Sequence, residues 1–211
     1  MKDIILKSLS VGRIKSYSCQ GEADISAIGK QKIESTFLSI NGFQGDEVAA
    51  PEYHGGPDRA VCLYPFEHYQ QWGEEFQKEF IPPSFGENIC VSGMTEDEVF
   101  IGDIYQFGEA TIQISQGRVP CAKISNYNGE AGLLGRIVNT GFTGYFFRVL
   151  DEGAVNIHSP ISLLDRTQTK VSVLEANYVL FHDYKNKQAI SKILEVSELA
   201  DVWRQKLEKL L

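Results

Sequence analysis

Cys121 is the side chain whose setting in this sequence most favours chemistry. It directly follows Pro120 and lies between the cations Arg118 and Lys123. A cysteine binds metals and attacks electrophiles as the thiolate, and neighbouring cations favour that form. Most free cysteines are instead buried packing residues. Because the residues around Cys121 are charged and turn-forming, the sequence favours a functional thiol.

The loop from His54 to Arg59, with the sequence HGGPDR, holds a second set of candidates. Gly55 and Gly56 allow backbone conformations closed to other residues, and their amides can form a nest for an anion. His54 can serve as an acid, a base or a ligand near neutral pH, and the guanidinium of Arg59 can hold a phosphate or carboxylate. The other interpretation, a glycine-rich turn with solvated charges, stays open at this point.

Glu87 and Asn88 form a third candidate set. They lie in a polar, glycine-bearing loop over residues 84–89, directly before an apolar strand-like run. We expect both side chains to line a pocket. By contrast, Cys62 and Cys90 lie inside apolar runs and are predicted to be packing residues.

The elements that position these loops are predicted to be mainly strands. Alternating or β-branched runs recur over residues 4–165, including Ala110–Ile114 and Gly144–Leu150. The run Ala154–Ile157 is predicted to form a hairpin with the strand before it. Cys121 is therefore expected where a strand ends and the chain turns.

Two parts of the chain are predicted to be helical. Aromatic residues recur at helical spacing over residues 65–80, where they predict a core-facing stripe, and Pro82-Pro83 is expected to end that helix. The segment Ser172-Val-Leu-Glu175 is a capping box. It opens a helix whose apolar face is predicted to carry Leu174, Tyr178 and Phe181.

The change of composition after residue 166 divides the chain. Residues 1–166 are predicted to form a β-rich domain, and residues 167–211 a small module of three helices, the second and third over residues 186–196 and 197–211. The expected fold class is thus mainly β with helices, or α+β.

Composition limits the class of protein further. A net charge of −8 over 211 residues argues against nucleic acid as a partner, since phosphate contacts need a cationic surface. No apolar run has membrane-spanning length, and the start of the chain has no signal-peptide pattern. The four cysteines form no C-x-x-C pair, which argues against zinc knuckles and thioredoxin-like sites. We expect a cytoplasmic protein without disulfides.

Taken together, these motifs resemble the MOSC domain family, named for the C-terminal domain of molybdenum-cofactor sulfurase, and within it the bacterial YiiM-like branch. The motifs that carry the resemblance are His54-Gly-Gly-Pro-Asp-Arg59, Phe85-Gly-Glu-Asn-Ile89, Gly102-Asp103 and Ser115-Gln-Gly-Arg-Val-Pro-Cys121. The resemblance covers about residues 5–165, and the three-helix tail is also similar to that of the YiiM-like branch. One position departs from the expected pattern, because Val119 stands where the resemblance leads us to expect serine.

The resemblance implies a MOSC-type β-barrel that holds a molybdenum–pterin cofactor. Cys121 matches the cysteine that gives its thiolate to molybdenum, and His54 and Arg59 match polar residues that face the same pocket. Related proteins reduce N-hydroxylated compounds, and the YiiM-like branch is linked to detoxification of N-hydroxylated bases. The resemblance therefore implies a molybdenum-dependent oxidoreductase acting on a small N-hydroxylated substrate.

The residues are compatible with that chemistry. A thiolate is a suitable ligand for a thiophilic metal. The cofactor's phosphate could be held by Arg59, Arg118 and the amides of Gly55 and Gly56. His54 has a suitable intrinsic pKa for giving a proton to the leaving oxygen. Because the chain has no flavin or nicotinamide motif and no iron–sulfur cysteine cluster, we expect the electrons to come from a separate flavin or iron–sulfur protein.

Other interpretations remain open at this point. The protein could be a non-enzymatic carrier of the cofactor or of sulfur on Cys121, a metal-free enzyme that uses Cys121 with His54 as nucleophile and base, or a purely structural protein. The helical tail could form a homodimer face or a docking site for the redox partner.

Overall fold

The computed structural model describes residues 3–19 and 22–211. Over these residues the chain forms thirteen strands: β1 Ile5–Val11, β2 Lys15–Cys19, β3 Glu22–Ser26, β4 Gln31–Lys32, β5 Ser35–Ser39, β6 Gly42–Phe43, β7 Val61–Pro65, β8 Ile89–Ser92, β9 Ile104–Phe107, β10 Ala110–Gly117, β11 Tyr145–Asp151, β12 Gly153–Asn156 and β13 Ile161–Asp165. The same residues form seven α-helices: α1 Pro51–His54, α2 Glu67–Phe76, α3 Lys123–Asn128, α4 Leu133–Thr140, α5 Val173–Phe181, α6 Lys187–Leu194 and α7 Asp201–Glu208. Among the described residues, every helix is too short or too polar to serve as a membrane span.

Eight of the strands form one curled sheet, an open half-barrel with the order β13-β9-β10-β11-β7-β8-β1-β4. Its neighbouring strands are antiparallel except for β7 and β8, which are parallel. A parallel pair needs a crossover, and α2 supplies it. The loops that end at Arg59 and Asn88 lead into these two parallel strands, so both reach the same edge of the sheet. The predicted fold class, mainly β with helices, is confirmed.

The sheet folds because its strands present apolar side chains to one core. Along β11, Tyr145, Phe147 and Val149 are buried while Phe146 and Arg148 are only partly so, which is the period of two expected of a strand with one inward face. A second cluster of buried residues, which we call the aromatic core, surrounds α2: Tyr64, Tyr69, Trp72, Phe80, Phe85, Cys90, Ile124, Leu133 and Ile137. This cluster packs beneath the loop of residues 84–88 and beneath α3, and so supports two walls of the pocket described below.

Two local predictions need correction. The helix over residues 65–80 is shorter than predicted, because Gln77 adopts the left-handed conformation and closes α2 well before Pro82-Pro83. The segment that forms β12 does not make a hairpin with β11. It pairs with β5 in a separate three-stranded sheet, in which Ala154 lies opposite Phe37. The predicted short turn between β11 and β12 is present, but it joins strands of two different sheets.

The tail contains three helices, as predicted, and Ser172 caps the first of them by accepting the amide N–H of Glu175 at 3.1 Å. The predicted apolar face is correct only in part, because Phe181 packs against the core and Leu174 is half-buried, but Tyr178 is not buried. Tyr178 is 57% exposed, and the buried side of α5 carries Val173, Ala176, Asn177, Val179 and Leu180. Spacing alone could not choose between two apolar faces of a mostly hydrophobic helix.

The tail and the sheet share one hydrophobic core. Ile190, Trp203 and Leu207 belong to the same buried cluster as Ile112 and Phe147 of the sheet. The division at residue 167 stays a prediction, and the shared core leads us to expect that both parts unfold together.

Replacing Trp203 with alanine should therefore destabilise the whole molecule. Trp203 is 1% exposed, so its truncation leaves a large cavity and should lower the free energy of unfolding by about 3–5 kcal/mol. The neighbouring Val202 is 52% exposed, and Val202→Ala should change that free energy by less than about 0.5 kcal/mol. Urea denaturation followed by tryptophan fluorescence and far-UV circular dichroism measures both. A separate, less stable transition of the tail in Trp203→Ala, with the transition of the sheet unchanged, would contradict a shared core.

Candidate functional site

A pocket of about 130 Å³ opens beside Cys121. Its wall is built from five parts of the chain, within residues 26–30, 46–50, 54–62, 86–88 and 118–123. Phe146 of β11 contributes one further side chain. Loops and strand ends distant in sequence thus meet at one edge of the half-barrel.

Most of the predicted site residues lie on this pocket. His54, Arg59, Asn88, Arg118 and Cys121 all line it. Gly55 and Gly56 lie in the turn between His54 and Arg59. Of the predicted residues, Glu87 alone points into the aromatic core instead of the pocket.

Cys121 lies four residues beyond β10, where the chain turns into α3. Its thiol is partly exposed. Its carbonyl accepts the amide N–H of Ile124 at 3.1 Å, which forms the first turn of that helix. Next to it, Lys123 donates from Nζ to the carbonyl of Ile25 at 2.5 Å and so ties the cysteine loop to the β2–β3 hairpin.

Arg118 is aimed by its contacts with the loop of residues 84–88. Its Nη1 donates to the carbonyl of Phe85 at 2.7 Å, and its own amide donates to Gly144 at 3.0 Å. The amide N–H of Phe85 donates in turn to the Glu87 carboxylate at 3.1 Å. Glu87, whose other oxygen accepts from the Tyr69 hydroxyl, therefore fixes the peptide that holds Arg118. Burial raises the pKa of the Glu87 carboxyl.

The loop that carries His54 and Arg59 is pinned to the sheet. Asp58 accepts from Arg148 Nε at 2.7 Å, and its carbonyl accepts from the Ser115 hydroxyl at 2.5 Å. Gly56 has φ of 104° and ψ of 158°, a conformation open almost only to glycine. The chain therefore reverses sharply here and presents both polar side chains to the pocket.

The pocket floor contains a buried ion pair that the sequence did not reveal. Lys30 and Asp46 contact each other through Nζ and Oδ1, and their side chains are 7% and 13% exposed. Asp46 also accepts from the amide of Gly12 at 2.6 Å and from Asn88 Nδ2 at 2.8 Å. No motif links these positions, because the fold alone brings them together.

Cys62 is a second thiol on the pocket wall that sequence reasoning assigned to packing. It lies opposite Phe146 in the sheet, and both side chains face the pocket. Cys62 is nevertheless only 6% exposed, and burial raises the pKa of its thiol. It is therefore poorly suited to act as a thiolate. Cys121, by contrast, is only partly buried.

The pocket is positively charged although the protein is acidic. In the described part of the chain its wall carries four cations and two carboxylates: Lys30, Arg59, Arg118, Lys123, Asp46 and Glu47. The whole sequence has 28 acidic and 20 basic residues. A local excess of cations against the overall sign favours an anionic ligand.

His54 responds to this environment. Burial lowers the pKa of its imidazole, and the charges of Arg118, Arg59 and Lys123 lower it further, while Glu52 acts in the opposite direction. Burial also lowers the pKa of Arg59, opposed by Asp58. At neutral pH the pocket thus presents a neutral imidazole among permanent cations.

Comparison with known proteins identifies the family to which the chain belongs. Residues 50–162 match the model of the MOSC domain, and residues 171–211 match that of the YiiM-like, 3-alpha helix domain. The chain belongs to the MOSC domain family. The matched region contains the histidine loop, the loop of residues 84–88 and the cysteine loop.

Individual relatives agree with this assignment. The chain is 39% identical over 203 residues to the uncharacterized protein YflK of Bacillus subtilis, covering 96% of this chain and 92% of YflK. The crystal structure of YiiM from Geobacillus stearothermophilus superimposes with a TM-score of 0.83 at 31% identity, covering 99% of both chains. A protein of Gibberella moniliformis named "Reductase" is 36% identical over 181 residues, which are 83% of this chain and 32% of that protein.

The position at which this MOSC domain departs from the expected motif lies outside the pocket. Val119 is 43% exposed and is not part of the pocket wall. The side chain at this position therefore faces away from the pocket lining.

Gly56→Ala should lower stability through backbone strain. A Cβ there would meet no atom within 4 Å, so the cost comes from the positive φ alone, about 1–3 kcal/mol in the free energy of unfolding. Gly135 is the matched control, because it also has open space but lies inside α4. Gly135→Ala should stabilise by up to about 1 kcal/mol. Chemical denaturation that ranks the two variants in the reverse order would contradict this account.

The titration of His54 should depend on Arg118. We expect its NMR midpoint below the ordinary 6.5, and Arg118→Gln should move it upward because one of the charges that disfavour the imidazolium is removed. The unfolded chain binds this proton at higher pH than the folded chain. The contribution of His54 to stability is therefore present above pH 6.5 and is lost as the pH falls through the folded-state pKa. An unchanged midpoint in Arg118→Gln would show that the two groups do not interact.

Proposed function

We propose that this protein binds a molybdenum–pterin cofactor through Cys121 and reduces N-hydroxylated compounds. The observation that carries the proposal is the partly exposed thiol of Cys121 in the wall of a cationic pocket. A thiolate suits a soft metal, and the cations suit a phosphate. The membership of the MOSC family supports the same ligand.

The donor set fits a metal that arrives with ligands of its own. In the described residues no three histidine, cysteine or acidic side chains lie close enough together to hold a metal ion. One thiolate is too few ligands for a metal bound by protein alone. A pterin cofactor carries its own sulfur ligands and a phosphate, so it requires from the protein one further ligand and a place for an anion.

The residues that would hold the cofactor are distinct from those that support them. Cys121 would provide the thiolate, and Arg59 and Arg118 would hold the phosphate. Glu87 and Asn88, which we expected to bind the cofactor, would also act through the contacts that they fix. Glu87 holds the Phe85 peptide. Asn88, which lines the pocket, accepts from the amide of Cys62 and donates to Asp46.

The reaction requires protons as well as electrons. Conversion of R–NH–OH to R–NH₂ and water consumes two electrons and two protons, and the bound cofactor would supply the electrons. His54 is the titratable side chain on the pocket wall best suited to give a proton to the leaving oxygen. It is neutral in the cationic pocket, but a bound anion offsets the field of the two arginines and favours its protonated form.

Electrons would come from a separate protein. The sequence has no flavin or nicotinamide motif and no iron–sulfur cysteine cluster. The fungal relative named "Reductase" supports a redox role, and the matched region is only 32% of its length. We propose that a flavin or iron–sulfur protein supplies the electrons.

Turnover of N-hydroxycytosine tests the proposal. Protein from a host that makes the cofactor, supplied with reduced methyl viologen, should convert N-hydroxycytosine to cytosine, as measured by liquid chromatography. Cys121→Ser should reduce this rate to background. Cys62→Ser is the matched control, because its buried thiol is not a thiolate; it should retain the activity while losing about 1–3 kcal/mol of stability.

Other outcomes identify the competing functions. Cofactor-loaded protein that gives no turnover but transfers its cofactor to an apo-enzyme would be a carrier. Activity in metal-free protein that iodoacetamide blocks would assign the site to thiol catalysis with His54.

A further inference from the structure

A second charged feature lies next to the pocket. It is a surface groove of about 250 Å³ lined by Arg13, Lys15 and Lys32 together with small and apolar residues such as Val11, Gly29 and Ile33. Its lining contains no carboxylate. The side chains of all three cations are exposed, with that of Arg13 exposed to 71%.

The stretches of sequence that form this groove are locally cationic. Residues 4–17 and 25–33 contain five lysines and arginines and no acidic residue, in a chain with a net charge of −8. The groove and the pocket lie side by side, and their linings together carry more cations than carboxylates on an acidic protein. Such a region steers anionic partners to one place on the surface.

The groove and the pocket share a wall. Gly29, Gln31 and Lys32 line the groove, whereas Lys30 between them lines the pocket. In the same way, Gly45 lines the groove, and the next two residues, Asp46 and Glu47, line the pocket. Arg13 also donates from Nη1 to Glu47 of the pocket wall at 3.1 Å. A protein seated on the groove would thus lie one layer of residues away from the pocket interior.

We propose that this groove, lined by Arg13, Lys15 and Lys32, is the docking surface for an acidic electron-donor protein. The inference rests on the proposed function, because it supplies the partner that a reductase without its own flavin or iron–sulfur cluster needs. Charge complementarity selects the partner: a small redox protein with acidic residues around its cofactor. Docking at the groove would suit electron transfer because the groove and the pocket share a wall. Electrons must pass from the cofactor of the partner to the cofactor proposed for the pocket.

The docking surface is distinct from the binding site for substrate and cofactor. None of the three cations lines the pocket. Reversing the charges of Lys15 and Lys32 should therefore weaken docking without changing the chemistry that follows electron delivery.

A charge-reversed variant tests the proposal with flavodoxin as the probe. The variant carries Lys15→Glu and Lys32→Glu, and it keeps Arg13 because that side chain pairs with Glu47 of the pocket wall. Its control carries Lys206→Glu and Lys209→Glu, the same charge change on exposed tail positions. Calorimetric titration with flavodoxin should give a Kd weaker by on the order of tenfold or more for the groove variant, and a Kd close to wild type for the control. Wild-type binding should weaken as salt rises from about 50 to 300 mM.

Activity separates failure of docking from failure of the proposed function. With reduced flavodoxin at limiting concentration, the groove variant should turn over N-hydroxycytosine at least about tenfold more slowly than wild type. With reduced methyl viologen, the two should agree within about twofold, since a small donor needs no docking surface. Wild type inactive with both donors would refute the proposed function, while the titration would still report on the groove.

Three results of the flavodoxin titration would overturn the docking proposal. They are absence of flavodoxin binding to the wild type, equal Kd values for wild type and groove variant, and equal weakening in the groove variant and the tail control. Binding of a DNA duplex in place of flavodoxin, abolished by the groove reversal, would assign the groove to nucleic acid and would also overturn it.

Discussion

The site depends on the side chain of Asn88, which joins three parts of the chain at the pocket floor. Its Oδ1 accepts the amide N–H of Cys62 at 3.1 Å, and its Nδ2 donates to Asp46 at 2.8 Å and to the carbonyl of Ser10 at 3.3 Å. The side chain thus extends the pairing of the parallel strands β7 and β8 and connects them to β1. Because these partners are buried, loss of the amide would leave several polar groups without hydrogen bonds.

This floor allows a cationic pocket to persist in a folded protein. Repulsion among the cations opposes folding, and it is offset where each cation has a defined neighbour. Lys30 is paired with Asp46, and Arg118 is held by the Phe85 carbonyl. The aromatic core supports the Phe85 peptide from below. The sheet therefore fixes the geometry of the site, and the loops provide its charge.

The sequence predicted the parts of the site that depend on local chemistry. Turn-forming glycines, flanking cations and the cysteine after Pro120 are readable in short stretches, and the fold brings His54, Arg118 and Cys121 to one pocket. The roles of Glu87 and of the Lys30–Asp46 pair were not readable, because they depend on contacts between distant segments. Pairing of β12 with β5 was missed for the same reason. A local pattern shows that a strand exists, but not which strand it joins.

The measurement that tests the central claim most directly is the molybdenum content of purified wild type and Cys121→Ser. Both proteins should come from a host that makes the cofactor, and both should show the same cooperative unfolding. We predict near-stoichiometric molybdenum in the wild type and none in the variant, because the proposed function makes the thiol of Cys121 the protein's ligand to the metal. Equal metal content in the two proteins, or none in wild type from a host in which the cofactor is present, would contradict the account.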